Sequence, residues 1–379
     1  MNKPLVWLRL ATACLGLSLT MLAWSAEDIT VGQVAPLSGV LADTGKDMVL
    51  GVKVYFDYVN DQGGIHGKKI RHVVKDDGYK IDETVLRTRE LVDKDNALAL
   101  IGFAGTGNVG ELLKQKILER ADIALVAPYT GGDILRTPFN PYIFHIRAGY
   151  EDEAEGIVNQ LVMLNMKRIG VMYQDDAFGK AGLAGVEAAL KRRGLEVAVT
   201  GAYEKNTDNV ANAVTEIAKA NPQAVVMISV NKSTAAFSKA IRPVSTVAQL
   251  VNISVVNPKE IARLIGYDNA RGIGIAQVMP FPYSATLPIV KEYQKAMKRY
   301  APGAELSYTS FEEFIGAKVL VEGLRRAGPN PTREKVIRAL ETLHAFDTGG
   351  FTVTFSPNNR IGSRFVEITV IGKDGRLLR

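Results

Sequence analysis

A single cysteine, Cys14, occurs in 379 residues, so no internal disulfide can form. The four histidines, His66, His72, His145 and His344, are scattered and none pairs four apart on a helix. A zinc site would have to gather carboxylates from distant segments, and no metal is expected. No G-x-S-x-G elbow is present to expose a serine nucleophile. No Lys/Arg run is interleaved with aromatics, which argues against nucleic acid as a partner. Beyond residue 26 no apolar run is long enough to cross a bilayer. Tandem repeats and low-complexity linkers are missing as well.

What is present begins with the pattern of an export signal. Lys3 and Arg9 precede an apolar run over 10–24, closed by Ala23, Ser25 and Ala26, which predicts a cut near residue 26 and a periplasmic protein. Cleavage at Cys14 as a lipoprotein would leave most of that run behind. The mature chain of about 353 residues then has no cysteine and must hold together by its core alone. Lys3 and Arg9 leave with the signal, so the formal charge of +6 falls to +4 while all 40 acidic residues remain. At this length two lobes are expected.

Short β-branched runs alternate with helix-period segments, the pattern of parallel sheets covered by helices, and predict an α/β fold. Strands are expected at 29–35, 70–75, 97–104, 123–127, 142–146, 168–173, 195–201, 224–229, 250–255 and 272–278. Helices are expected at 47–60, 111–120, 180–192, 209–219, 288–300, 311–326 and 332–343. The tail, 351–355 and 364–371 about a turn at Pro357-Asn358-Asn359, has an antiparallel look.

Between a strand and a helix pattern lies a G-x-G-x-x-G run, Gly105-Thr106-Gly107-Asn108-Val109-Gly110. Glycines there let backbone amides approach an anion, and the helix dipole favours negative charge. A nicotinamide reading needs an acid at the end of the next strand, but that strand ends in Val126-Ala127-Pro128-Tyr129 and Asp133 lies beyond the turn. An exported chain also has no access to that cofactor, so none is expected. Asp76-Asp77 and Asp175-Asp176 imitate catalytic carboxylate pairs, yet neighbours at a strand end face opposite sides. The chain is therefore expected not to be an enzyme, and the glycine turn reads as a cradle for the carboxylate of a small ligand.

A longer ordered set of segments points the same way: Val31-Gly32-Gln33-Val34-Ala35-Pro36-Leu37-Ser38-Gly39, Asn60-Asp61-Gln62-Gly63-Gly64-Ile65-His66-Gly67-Lys68-Lys69-Ile70, Lys75-Asp76-Asp77, Gln174-Asp175-Asp176-Ala177-Phe178-Gly179 and Glu312-Glu313-Phe314-Ile315-Gly316-Ala317-Lys318. Together they resemble the leucine/isoleucine/valine-binding family of periplasmic substrate-binding proteins. The resemblance implies two doubly wound parallel-sheet lobes joined by a three-segment hinge, 27–147 plus 281–343 and 148–280 plus 344–379. It also implies a monomer that captures a branched-chain or other aliphatic amino acid for an inner-membrane ABC permease. An aromatic or aliphatic carboxylate without an ammonium, or a sensing role with a membrane receptor, is the alternative.

By the same resemblance Thr106 and Gly107 hold the ligand carboxylate, with Tyr129, Thr130 and Gly131 as a second carboxylate-binding segment. Thr44 and Asn231 stand at aromatic positions of the cleft wall, Phe178 covers the ligand, and Tyr150 sits at the hinge. Ser254 stands where amino-acid binders of the family place a Glu for the ligand ammonium. Asp176 or Glu312 could supply that charge instead, because a buried ammonium without an anion is costly.

Overall fold

The computed structural model describes residues 28–246 and 249–379; the export signal expected over 1–26 lies outside the described residues. Strands β1 (Ile29–Ala35), β2 (Ile70–Asp76), β3 (Ala99–Ile101), β4 (Leu125–Val126) and β5 (Ile143–Phe144) form an all-parallel sheet in the order β2-β1-β3-β4-β5. Strands β6 (Ile169–Gln174), β7 (Val197–Tyr203), β8 (Ala224–Ile228), β9 (Gln249–Asn252) and β10 (Gly274–Gln277) repeat that order as β7-β6-β8-β9-β10, again parallel. Both are doubly wound sheets, and β1 and β8 are buried along their whole length because helices cover both faces. The two lobes share a topology without sharing a sequence repeat.

Helices α1 (Ala42–Asp61), α2 (Ile81–Asp93), α3 (Thr106–Lys114) and α4 (Ile117–Ala121) serve the first sheet. The second is served by α5 (Tyr150–Met163), α6 (Ala177–Lys191), α7 (Ala211–Ala220), α8 (Asn231–Ile241), α9 (Pro258–Ile265) and α10 (Tyr267–Ala270). The chain then returns, and α11 (Pro288–Tyr300), α12 (Tyr308–Arg326) and α13 (Arg333–Glu341) pack into the core of the first lobe. Helix α12 is buried on almost every side, its polar Thr309, Ser310, Glu312 and Glu313 included. It lies close to α1 at Gly51, where a Cβ would stand 2.1 Å from the Ser310 carbonyl oxygen.

Two expectations need correction. The helix expected over 111–120 begins earlier, at Thr106, and breaks at Lys116, whose backbone is left-handed (φ 55°). Gly107 and Gly110 are therefore helical, and only Gly105 (φ 95°) belongs to the turn. The tail is not one antiparallel pair. β11 (Phe346–Asp347) and β12 (Thr352–Val353) form a small hairpin, whereas β13 (Glu367–Ile371) pairs antiparallel with β10, and β14 (Leu377–Leu378) follows at the sheet edge. Phe351, Val353 and Phe355 join the first lobe's core, Phe355 edge-on to Phe144 at 5.2 Å. Beyond them Ile361 forms a parallel bridge with His145.

Candidate functional site

Strand order reverses at β1/β3 in the first sheet and at β6/β8 in the second, and such switch points are where open α/β sheets hold ligands, at the carboxyl ends of strands. Here the two switch points face each other. Leu41 after β1, Ala104 and Gly105 after β3, and Tyr129 after β4 meet Phe178 after β6, Val230 after β8 and Val255 after β9; Tyr79 and Tyr150 complete the wall. The cavity between them measures about 20 Å³, room for roughly one water. Tyr150 and Phe178 pack edge to face, 5.5 Å between centroids. The cleft is shut, and one apolar cluster runs through it from Leu41 and Tyr79 to Phe178 and Val255.

Gly105 precedes α3 without a side chain to cap it. The first-turn amides of a helix have no intrahelical acceptor, and the dipole is positive there, so the wall of the cavity at Gly105 favours an anion. Thr106 and Thr130 lie just behind that wall and are fully buried, their hydroxyl oxygens 2.7 Å apart. Thr130 Oγ1 also accepts from the Gly132 amide at 3.1 Å and the Tyr150 hydroxyl at 3.4 Å, which leaves its own proton for Thr106. Gly131 lets the Tyr150 ring approach, since a Cβ there would stand 2.5 Å from it.

On the other side, Asn231 of α8 donates to Thr44 Oγ1 of α1 across the lobes at 3.3 Å and accepts from the Asn257 amide at 2.7 Å. Both Thr44 and Asn231 line a wider cavity of about 1140 Å³ at the cleft mouth, with Asp47, Lys259, Tyr283 and Glu305.

This geometry has counterparts. The family model described as "Periplasmic binding protein" matches residues 28–376. The chain belongs to the periplasmic binding protein family. A substrate-binding periplasmic protein from Ralstonia solanacearum has the same fold with a TM-score of 0.89 and 39% identity, over 93% of this chain and 99% of that one. A possible leucine/isoleucine/valine-binding protein from Rhodopirellula baltica gives a TM-score of 0.88 at 28% identity, covering 94% and 97%. By sequence, the chain is 24% identical to the Leu/Ile/Val-binding protein homolog 8 of Brucella suis biovar 1, over 97% of this chain and 94% of that protein.

A buried cluster of charges in this binding protein gathers around Arg147. Arg147, in the first crossing, reaches Glu153 of α5 at 3.3 Å and Glu312 of α12 at 3.4 Å, one acid from each lobe, and its guanidinium lies 5.1 Å from the Tyr129 ring centre. It also donates to the Ser254 hydroxyl. All five groups are buried. Burial pushes Glu312 up to about 7 in spite of Arg147. Burial, and then the neighbouring Glu312, hold Glu313 well above the usual carboxylate range, and neither of its oxygens has a hydrogen-bond partner. Asp176 caps α6 through the Phe178 and Gly179 amides and faces Lys205 at 3.6 Å. The acids considered for a ligand ammonium are thus already engaged, Glu312 by Arg147 and Asp176 by its cap and Lys205.

Tyr129, Tyr150 and Phe178 therefore line the small cavity, and Thr44 and Asn231 the large one. Thr106, Thr130, Gly131 and Ser254 stand in the layer behind, while Gly107 faces Ala177 of the other lobe at 3.7 Å from a built Cβ. Tyr79, Leu41, Val230 and Val255 were not anticipated. Their shared signal is position: each follows a strand's carboxyl end by a few residues.

Proposed function

We propose that this periplasmic binding protein captures a small carboxylate between its lobes, releases it unaltered, and presents its closed form to an inner-membrane ABC permease. The observation that carries the reading is the meeting of two switch points across an apolar, aromatic cavity whose one polar edge is the start of α3. At about 20 Å³ the shut cavity holds no solute of amino-acid size, so the ligand enters as the lobes part and keeps Tyr150 and Phe178 further apart than they stand here.

No carboxylate lines that cavity among the described residues, and an unpaired ammonium there would bear its full desolvation cost. This favours an aliphatic or aromatic carboxylate without an ammonium group. The name of the Brucella relative supports the second reading, an aliphatic amino acid. A thermal-shift series over leucine, isoleucine, their keto analogues and benzoates separates them, because a ligand selective for the folded form raises the melting temperature. Shifts with keto acids or benzoates alone support the first reading, shifts with leucine or isoleucine the second. No shift with any carboxylate would overturn both.

A further inference from the structure

Lys205 follows β7 in the second lobe, yet its ammonium works on the first. Nζ donates to Asn108 Oδ1 of α3 at 2.9 Å and stands 3.9 Å from the centre of the Tyr79 ring. On its own lobe it faces Asp176 at 3.6 Å, both side chains being about 15% exposed (16% and 15%). Of these two first-lobe partners, Tyr79 alone belongs to the wall of the small cavity. Tyr79 lines it directly, from a backbone held at φ 63°. Asn108 sits in the first turn of α3 beside Gly105, and its amide donates to Thr84, whose hydroxyl donates to Asp77. A desolvated ammonium over an aromatic face is worth more than an exposed one, and this contact exists only while the lobes are shut. Beside it Gln174 Nε2 of β6 donates to the Tyr79 hydroxyl at 3.4 Å, while the contacts of Asn231 with Thr44, Asn257 with Asp47, Lys259 with Glu305 and Arg263 with Asp43 lie at the opposite mouth.

We propose that Lys205 is a positioning residue: it latches the cleft shut and fixes Tyr79 and the first turn of α3 in the geometry that meets the ligand. This rests on the reading that the lobes close over a solute, and deepens it by naming the group that holds them closed. The only cysteine lies in the expected signal, so spin labels at Asp82→Cys and Lys219→Cys, both exposed and one on each lobe, report the interlobe distance. In ligand-free protein, Lys205→Met should lower the ratio of the closed to the open population about tenfold, and Lys205→Arg should restore most of it. A general loss of structure would not be rescued by arginine.

Equal distance distributions in the parent, Lys205→Met and Lys205→Arg would overturn the latch. Because no ligand is added, that result is independent of the carboxylate reading: if no carboxylate raises the melting temperature but Lys205→Met still opens the cleft, the proposed function fails and the latch stands.

Discussion

The carboxylate of Glu153 accepts both the backbone amide of Ser254, at 2.7 Å, and its hydroxyl, at 2.9 Å. The family resemblance puts a Glu at position 254 itself; here the carboxylate arrives from α5 and is shared with Arg147. One residue thus satisfies the end of β9, the start of α5 and the first crossing at once. The charge that would face a ligand ammonium has been turned to face an arginine of the hinge.

Removing that carboxylate should be expensive. Glu153→Ala leaves Arg147 with Glu312 alone and Ser254 without its acceptor, at a cost of about 3–5 kcal/mol. Ser254→Ala keeps the amide bond and should cost about 1 kcal/mol. Urea unfolding of both variants checks this; a Glu153→Ala protein within about 1 kcal/mol of the parent would remove Glu153 from the centre of the network.

The acids of α12 set a direction with pH. Glu312 is pushed up to about 7 from an ordinary 4.5, and burial holds Glu313 well above the ordinary carboxylate range as well. Between those values the folded protein keeps protons that the unfolded chain has released, so stability present at pH 5 is lost as pH rises towards 8, on the order of a few kcal/mol. Glu313→Gln should match the parent near pH 5 and exceed it at pH 8. Unfolding free energies at the two values decide it, and a parent protein that gains stability with pH would contradict the burial argument.

Much of the fold was legible because long periodic segments leave little choice: 288–300 is a helix as expected, and most strands fall within a few residues of their predicted places. The hinge network was not, since Arg147, Glu153, Ser254 and Glu312 are far apart in sequence and no spacing rule joins them. Likewise Phe351 and Phe355 alternate as a strand should, yet which core they join depends on contacts such as that of Phe355 with Phe144, two hundred residues away. The site was legible in outline through strand ends, but whether a side chain lines the cavity or stands behind it depends on rotamers that no pattern encodes.

Thr106 illustrates the difference. By the family resemblance it is a contact of the ligand carboxylate. With its hydroxyl buried against Thr130, Thr106→Ala should also cost about 1 kcal/mol in the ligand-free protein. Calorimetry without ligand reads it directly: an unchanged melting temperature would mean the hydroxyl is turned to the cleft in solution.

The glycine run gives the last test, because its members have opposite needs. Gly105 holds φ 95°, and a Cβ there would stand 2.7 Å from both Asn108 Oδ1 and the Tyr79 ring. Gly105→Ala should therefore destabilise by about 1–3 kcal/mol through backbone strain. Gly110 is an ordinary residue of α3 whose added Cβ meets nothing nearer than Leu135 at 3.8 Å. Gly110→Ala should stabilise by up to about 1 kcal/mol, the helix propensity that glycine forgoes. A glycine turn that cradles an anion along its whole length would need both glycines, so a Gly110→Ala protein as damaged as Gly105→Ala would restore the turn reading that α3 has replaced.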